Sequence, residues 1–250
     1  MDAMENSKSE CALPQQERMP APEKWHIWHD GANSPAFNMA ADEAMLDTAA
    51  ERGAPLLRFY SWNCRAVSIG YIQCASAVPE GFAFVRRPTG GGVVYHDFDF
   101  TYSIAFPSGH WLNALDRNLS YDWINRCVQK ALLSLDCQAR LSDDVISHDV
   151  DRASMVCFTN PTRYDVLLDG RKIAGSAQRR TAAGILHQGS IHFGGELPYP
   201  RETLANALQK AFEEIMSVSF MPFDAAGEFL ALCDKKVKSK YGTDDWNFKR

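Results

Sequence analysis

A glycine-rich run behind two adjacent arginines is the first segment whose residue types suit chemistry. Glycines let a ligand approach the backbone amides, and guanidinium groups beside them suit a carboxylate, a phosphate or a polarised carbonyl. The run is not a P-loop, because no Lys-Ser/Thr pair follows it, and it lacks the GxGxxG dinucleotide pattern. By itself such a run is more often a glycine-rich hairpin turn than a functional loop. The segment reads Arg86-Arg87-Pro88-Thr89-Gly90-Gly91-Gly92-Val93-Val94-Tyr95-His96.

A lysine beside a tight turn is the second candidate. Asp169-Gly170 separates two strand-like runs, 163–168 and 171–177, which predicts a β-hairpin with a type I′ turn. Strand alternation places Lys172 and Ala174 on one face, with Arg171 and Ile173 on the other. Lysines beside turns are usually only solvated, but the unusually small residues that follow indicate the close approach of a ligand or of another backbone. These small residues and the next polar one are Gly175, Ser176, Ala177 and Gln178.

Two further side chains could react or bind. Cys157 lies just upstream of the hairpin, and its thiolate would be a nucleophile for thioester exchange if a nearby cation lowered its pKa. A buried structural cysteine is the alternative. His187, two positions before Gly189, is either a base or a hydrogen-bonding strand residue. The GxSxG, HExxH and CxxC patterns are absent, so we predict no metal site.

The elements that must position these residues form an irregular succession of strands and helices. Apolar residues at steps of three and four predict a helix from about Ser120, as N-cap, to Leu135. This order favours an α+β domain over a regular doubly wound one. Further helices are predicted at 38–52, 201–216 and about 225–241, and strands at 25–28, 56–60, 66–71, 82–86, 93–95, 101–106 and 185–193.

Composition and charge restrict the function classes. The 250 residues carry a formal net charge of −5, which disfavours nucleic acid as the main partner. No apolar run approaches the roughly 20 residues that cross a bilayer, so we expect no membrane partner. Residues 1–23 resemble neither a secretory signal nor a transit peptide and are predicted to form a disordered tail before one domain at 24–250. Seven scattered cysteines indicate reduced thiols in the cytoplasm.

Taken together, the segments resemble the lipoate–protein ligase and octanoyltransferase family. RRPTGGGVVYHD (residues 86–97) is similar to the family's arginine–glycine–histidine motif, and DGRKIAGSAQRR (169–180) to its lysine motif. ILHQGSI (185–191) resembles the strand that follows, while NMAADEAML and LLRFYSWNCRAVSIGYIQ resemble the opening helix and strands. The resemblance extends in order from about Asn38 to Phe248.

The resemblance implies a biotin/lipoate-ligase-like α+β fold, with mixed, mostly antiparallel sheets flanked by helices. It implies a tunnel for an eight-carbon acyl chain, lined by the loop from Arg86 to His96, and a Lys172 that contacts the acyl carbonyl. The implied acceptor is a lysine on a lipoyl domain, as in the glycine cleavage H protein or 2-oxo acid dehydrogenase subunits. Gln178 and the amides of residues 175–177 are expected to position the oxyanion. We expect a monomer.

The segment around Cys157 resembles that of the LipM-like octanoyltransferases, in which the cysteine carries the acyl group as a thioester. This branch needs no cofactor, and its donor is an octanoyl-acyl carrier protein or a lipoylated protein. The alternative is a lipoate–protein ligase that uses ATP and Mg²⁺ to form lipoyl-adenylate, with Cys157 not catalytic. A non-catalytic binding protein and a biotin ligase are less consistent with the two motifs.

Overall fold

A computed structural model describes residues 21–143 and 162–249. Eleven strands and six helices are described in these two ranges. The strands are β1 (Glu23–Asn33), β2 (Leu56–Trp62), β3 (Ala66–Ile69), β4 (Ala83–Arg86), β5 (Val94–His96), β6 (Phe100–Pro107), β7 (Arg140–Leu141), β8 (Val166–Leu168), β9 (Arg171–Thr181), β10 (Gly184–Ile191) and β11 (Val218–Pro222). The helices are α1 (Pro35–Asp47), α2 (Ala49–Arg52), α3 (Arg117–Leu133), α4 (Arg201–Met216), α5 (Glu228–Lys236) and α6 (Asp244–Asn247).

Two sheets form the framework, and their strand order confirms the predicted α+β class. Eight strands are ordered β11-β1-β2-β6-β10-β9-β8-β7, with parallel pairs only at β11-β1 and β1-β2. Helices α3 and α4 pack on one face of this sheet in the largest apolar cluster of the described residues. Helix α1 packs on the opposite face, where a smaller sheet, β4-β3-β5, also lies. The site described below is on this second face.

The small sheet changes the interpretation of the glycine run. β4 and β5 flank the run in sequence, yet both pair with β3, in parallel and antiparallel orientation respectively. The segment from Arg87 to Val93 therefore connects the two outer strands of a three-stranded sheet instead of closing a hairpin turn. This connection brings its backbone across the end of β3, beside Gly70.

The lysine hairpin is confirmed, but its strand alternation is not. Asp169 and Gly170 have φ of 49° and 77°, as a type I′ turn requires. The register between β8 and β9 shifts by one residue, pairing Val166 with Ala174 and Leu167 with Lys172. A β-bulge at this point breaks the period of two, so the predicted placement of Lys172 and Ala174 on one face is wrong.

Several helix boundaries differ from the predictions for local reasons. α1 begins at Pro35 after the N-cap Ser34, and a break at Thr48 separates it from α2. α3 begins after the N-cap Asp116, so Ser120 is not the cap; its buried hydroxyl donates to the carbonyl of Arg117 and to Oε1 of Gln178. α4 has the predicted bounds. The last predicted helix is α5 followed by a π-helical turn at Val237–Tyr241.

Candidate active site

A partly open cavity lies between the large sheet, α1 and the small sheet. Its empty volume, including space open to solvent, is about 420 Å³. The lining comes from four adjacent strands, β2, β6, β10 and β9, so the cavity extends about 14 Å across the large sheet. It is lined by Met39, Tyr60, Trp62, Ser68, Arg87, Val94, His96, Thr101, Gly175, Ser176, Ala177, Gln188, Gly189 and Ser190.

Lys172 lies at the β9 end of this cavity. Its ammonium is 2.8 Å from Oδ2 of Asp165, and both side chains are almost completely buried. The side chain crosses directly over Gly175: a Cβ built there would stand 2.7 Å from Nζ of Lys172. Glycine at this position is therefore a steric requirement, since a larger residue would occupy the space of the lysine.

The side chain of Arg87 holds the arginine–glycine loop (residues 87–93) in place by donating to backbone carbonyl groups. The Arg87 guanidinium donates to the carbonyls of Ser68, Gly90 and Gly92 at 2.7–3.1 Å. A Cβ at Gly70 would collide with the carbonyl oxygen of Gly91, so the loop backbone lies directly against β3. Arg87 thus lines the cavity while it fixes the path of the three glycines.

A buried polar network ties this loop to the large sheet. Thr89 donates a 2.6 Å hydrogen bond to Gln188, whose amide donates to Asp42 at 2.7 Å. Asp42 also pairs with Arg58 at 2.7 Å and accepts from Ser103 at 2.7 Å. Because these side chains are buried and bound to one another, they form a fixed floor and leave mostly carbon facing the cavity.

His96 closes the end of the cavity near β2. Its Nε2 contacts Oγ of Ser68 and its Nδ1 contacts Oδ2 of Asp99, both at 2.8 Å, and its ring stacks on Trp62. Burial by itself would raise the pKa of Asp99, but His96 and hydrogen bonds from Ser190 and Thr101 lower it. Asp99 is therefore ionised at neutral pH and orients the imidazole.

Other residues predicted for the site lie away from the cavity. The Arg86 guanidinium is buried and donates to five backbone carbonyls, those of Gly70, Tyr71, Gln73, Trp246 and Asn247, so it joins the loop to the C-terminal segment. Val93 and Tyr95 pack in a small apolar cluster with Val67. Gly90 and Gly92 contribute carbonyl oxygens to Arg87, and none of the three glycines 90–92 is among the lining residues.

Gln178 and His187 point to the opposite face of the large sheet. The Gln178 side chain contacts Ser120 of α3 and Nδ1 of His187. Burial lowers the pKa of His187 to about 3, so it is neutral at physiological pH and unsuited to act as a base there. In contrast, Gly175, Ser176, Ala177 and Gly189 line the cavity.

Cys157 lies outside the described residues. Of the five cysteines within them, none lines the cavity. Burial raises the pKa of the Cys127 and Cys137 thiols and that of Cys233 to about 11, while Cys64 and Cys74 are exposed. No described cysteine is therefore placed to react with a ligand in the cavity.

The sequence analysis did not identify three side chains that are central to the site, namely Asp42, Gln188 and Asp165. The sequence contains signals for the first two. Asp42 occupies a core-facing position of α1, three residues after Met39 and three before Met45, where a carboxylate requires a partner. Gln188 follows His187, and strand alternation assigns these neighbours to opposite faces. Asp165 has no comparable signal, because its pairing with Lys172 depends on the bulge.

Within residues 21–143 and 162–249, no group of three or more His, Cys, Asp or Glu side chains could hold a metal ion. Among the helices in those same ranges, none has the length and apolar character needed to cross a membrane.

Comparisons with known proteins agree with this geometry. Residues 34–222 match the model of the lipoyl protein ligase A/B catalytic domain. An octanoyltransferase LipM of Geobacillus kaustophilus is 33% identical to the chain, covering 92% of this chain and all of the relative. A second octanoyltransferase LipM, from Anoxybacillus flavithermus, is 32% identical over 91% of this chain and 99% of its own length.

Solved structures share the fold. A candidate lipoate protein ligase from T. acidophilum, solved with bound lipoic acid, superimposes with a TM-score of 0.77 at 22% identity, covering 91% of this chain and 99% of its own. A lipoate-protein ligase A solved with bound ATP gives 0.75 at 22% identity, over 91% of this chain and 99% of its own. At this identity the likeness extends to the fold alone.

Proposed function

The chain belongs to the lipoyl protein ligase A/B catalytic domain family, and we propose that it transfers an octanoyl or lipoyl group to the acceptor lysine of a lipoyl domain. The observation that carries this proposal is the position of the Lys172 ammonium at one end of a largely apolar cavity. An acyl chain would fill the cavity and place its carbonyl at the Gly175 end. The relatives that cover almost the whole chain are named as octanoyltransferases, which favours transfer.

The proposed reaction has two half-reactions and uses Cys157 as the nucleophile. The Cys157 thiolate attacks the donor carbonyl and a new C–S bond forms. The donor group, a thiolate from a carrier-protein thioester or a lysine amine from a lipoyl amide, leaves and takes up a proton. The acceptor lysine amine then attacks the enzyme thioester, forms the amide, loses a proton and releases the Cys157 thiolate. Lys172 supplies positive charge that favours the thiolate and the developing oxyanion. No cofactor is consumed in either step.

The described part of the chain supports a role for Cys157 indirectly. None of the five described cysteines reaches the cavity, and three of them are buried with raised thiol pKa values. Cys157 precedes Thr162 by five positions, and Thr162 contacts the carboxylate that binds Lys172. We therefore propose Cys157 and Lys172 as the catalytic pair.

The donors and acceptors remain those that the family chemistry indicates. We propose an octanoyl-acyl carrier protein or a lipoylated protein as donor, with the glycine cleavage H protein and 2-oxo acid dehydrogenase subunits as acceptors, all in the cytoplasm. ATP-dependent ligation with Mg²⁺, in which Cys157 is a bystander, is the alternative.

A transfer assay in the presence and absence of ATP separates these reactions. The protein is incubated with octanoyl carrier protein and a lipoyl domain, with ATP removed by apyrase, and the acceptor mass is measured. We expect full acceptor modification without ATP, and loss of modification in Cys157→Ala. Acceptor modification that requires both free lipoate and ATP, releases pyrophosphate and persists in Cys157→Ala would establish the ligase instead.

A further inference from the structure

The ion pair between Asp165 and Lys172 is buried at the Gly175 end of the cavity, where the acyl carbonyl is proposed to lie. Nζ and Oδ2 are 2.8 Å apart, and only 3% of the lysine and 4% of the aspartate side chain is exposed. Removing a charged group from water is costly, so a buried ammonium requires a counter-charge that compensates the lost hydration. Asp165 supplies that counter-charge.

The carboxylate of Asp165 is itself fixed from several directions. Its Oδ2 accepts hydrogen bonds from the backbone N–H and the hydroxyl of Thr162, at 2.6 and 2.9 Å. The Asp165 carbonyl accepts from the N–H of Ser142 at 2.8 Å. The preceding residue, Tyr164, has a φ of 71°, and its carbonyl accepts from Asn125 of α3. A carboxylate held this firmly can define where the flexible lysine side chain ends.

Gly175 and the bulge complete the arrangement. The register shift after Val166 frees Lys172 from the regular alternation of β9, and the absent Cβ of Gly175 leaves room for its ammonium on the cavity face. Oδ1 of Asp165 would lie 3.3 Å from a Cβ at Gly175, so carboxylate and ammonium share the space above this glycine. The direction of the lysine therefore depends on the carboxylate.

We propose that Asp165 is a positioning residue, which fixes the Lys172 ammonium beside Gly175 and aims it at the acyl carbonyl. This inference rests on the proposed acyl-transfer function and deepens it. Asp165 contacts no reacting atom and acts only through Lys172. The pair explains why a lysine almost completely removed from solvent can act as a cation in this reaction.

Other ionisable groups near the Asp165–Lys172 pair do not compete with Asp165 for the lysine. Burial raises the pKa of the Tyr102 phenol in β6, with smaller contributions from Cys127 and Asp165, so Tyr102 is neutral at physiological pH. Cys127 of α3, near Tyr102, is buried and its thiol pKa is raised well above the ordinary value. Arg163 and Arg171, next in sequence to the pair, are exposed.

The test combines Asp165→Asn with Lys172→Met in a double-mutant cycle. In Asp165→Asn we expect kcat for octanoyl transfer to fall about 10- to 100-fold, with KM for the donor unchanged within about twofold. In the Lys172→Met background, adding Asp165→Asn should leave the residual rate unchanged within about twofold.

Asp169→Asn is the matched control. It makes the same chemical change four positions away, at the exposed turn of the same hairpin, where asparagine tolerates the positive φ of 49°. We expect wild-type kcat for this variant. If Asp165→Asn does not fold, Thr162→Val provides the second measurement. It removes one donor to Oδ2, and kcat should fall about two- to fivefold with KM for the donor unchanged.

The positioning role of Asp165 and the acyl-transfer function would be contradicted by different results. Wild-type protein that transfers no acyl group from octanoyl carrier protein or from a lipoylated protein would overturn both. Transfer that is slowed by Lys172→Met yet unchanged in kcat by Asp165→Asn would overturn only the positioning role. An equal loss from Asp165→Asn with and without Lys172 would also overturn it, since the carboxylate would then act independently of the lysine.

Discussion

Gly175→Ala isolates the geometry of the catalytic lysine without changing any charged group. The new Cβ would stand 2.7 Å from Nζ of Lys172, whereas ordinary contacts begin at about 3.4 Å. The ammonium must therefore move by at least about 0.7 Å. The atoms it meets are the far end of a flexible side chain, so the backbone of β9 is expected to keep its path.

This displacement has a calculable consequence for rate. A hydrogen bond between charged groups contributes about 1.5–3 kcal/mol, and Asp165 and Lys172 make such a bond at 2.8 Å. Losing it from the transition state would slow the reaction by about 10- to 150-fold, since 1.4 kcal/mol corresponds to a factor of ten. A misplacement of about 1 Å at a reacting centre is expected to cost a similar factor.

Steady-state transfer of octanoyl groups to a lipoyl domain measures the effect, and thermal unfolding checks the fold. We expect kcat to fall within that range while the melting temperature changes by only a few degrees. Gly109→Ala is the control, because no atom lies within 4 Å of its Cβ position. A Gly175→Ala variant with wild-type kcat would refute the argument that Lys172 must occupy the space above Gly175.

Three further predictions concern the network, the loop and the buried histidine. Asp42→Ala should lower the free energy of unfolding by about 3 kcal/mol, because the buried Arg58 loses a counter-charge; urea denaturation measures this, and a loss below about 1 kcal/mol would contradict it. Arg86→Lys should cost about 3 kcal/mol in the same experiment, since an ammonium cannot reach five carbonyls; unchanged stability would exclude the proposed link to the C-terminal segment. Because of His187, the free energy of unfolding should fall by up to about 5 kcal/mol as pH drops from 6.5 towards 3. Over this range the imidazole binds a proton in the unfolded chain but stays neutral in the folded protein, where its pKa is lowered to about 3. His187→Gln should reduce this pH dependence and leave the acidic limb of the pH–rate profile in place, and a shift of that limb would restore His187 as a candidate base.

Features encoded by local patterns could be predicted from the sequence. The apolar spacing of α4 gave its bounds, 201–216, and Asp169-Gly170 identified the turn of the lysine hairpin. The strand β11 was missed because it is a short edge strand containing Pro222. Its pairing partner, β1, lies nearly two hundred residues earlier, so no local sequence pattern predicts this pairing.

The site shows the same division between local and long-range information. Lys172 and the small residues after it were recognised, and the structure brings them to the cavity. Asp165 was not recognised, because its partnership depends on a bulge that no periodicity encodes. Arg86 was assigned to substrate, whereas its side chain binds a segment about 160 positions later in the sequence.

The central claim, covalent acyl transfer through Cys157, is tested most directly by trapping the acyl-enzyme. The protein is mixed with octanoyl carrier protein without ATP or acceptor, quenched in acid, and examined by intact-protein and peptide mass spectrometry. The proposal predicts one octanoyl adduct on Cys157 that hydroxylamine removes, that a lipoyl domain discharges, and that Cys157→Ala lacks. Acceptor modification without any adduct, and with full activity in Cys157→Ala, would contradict it.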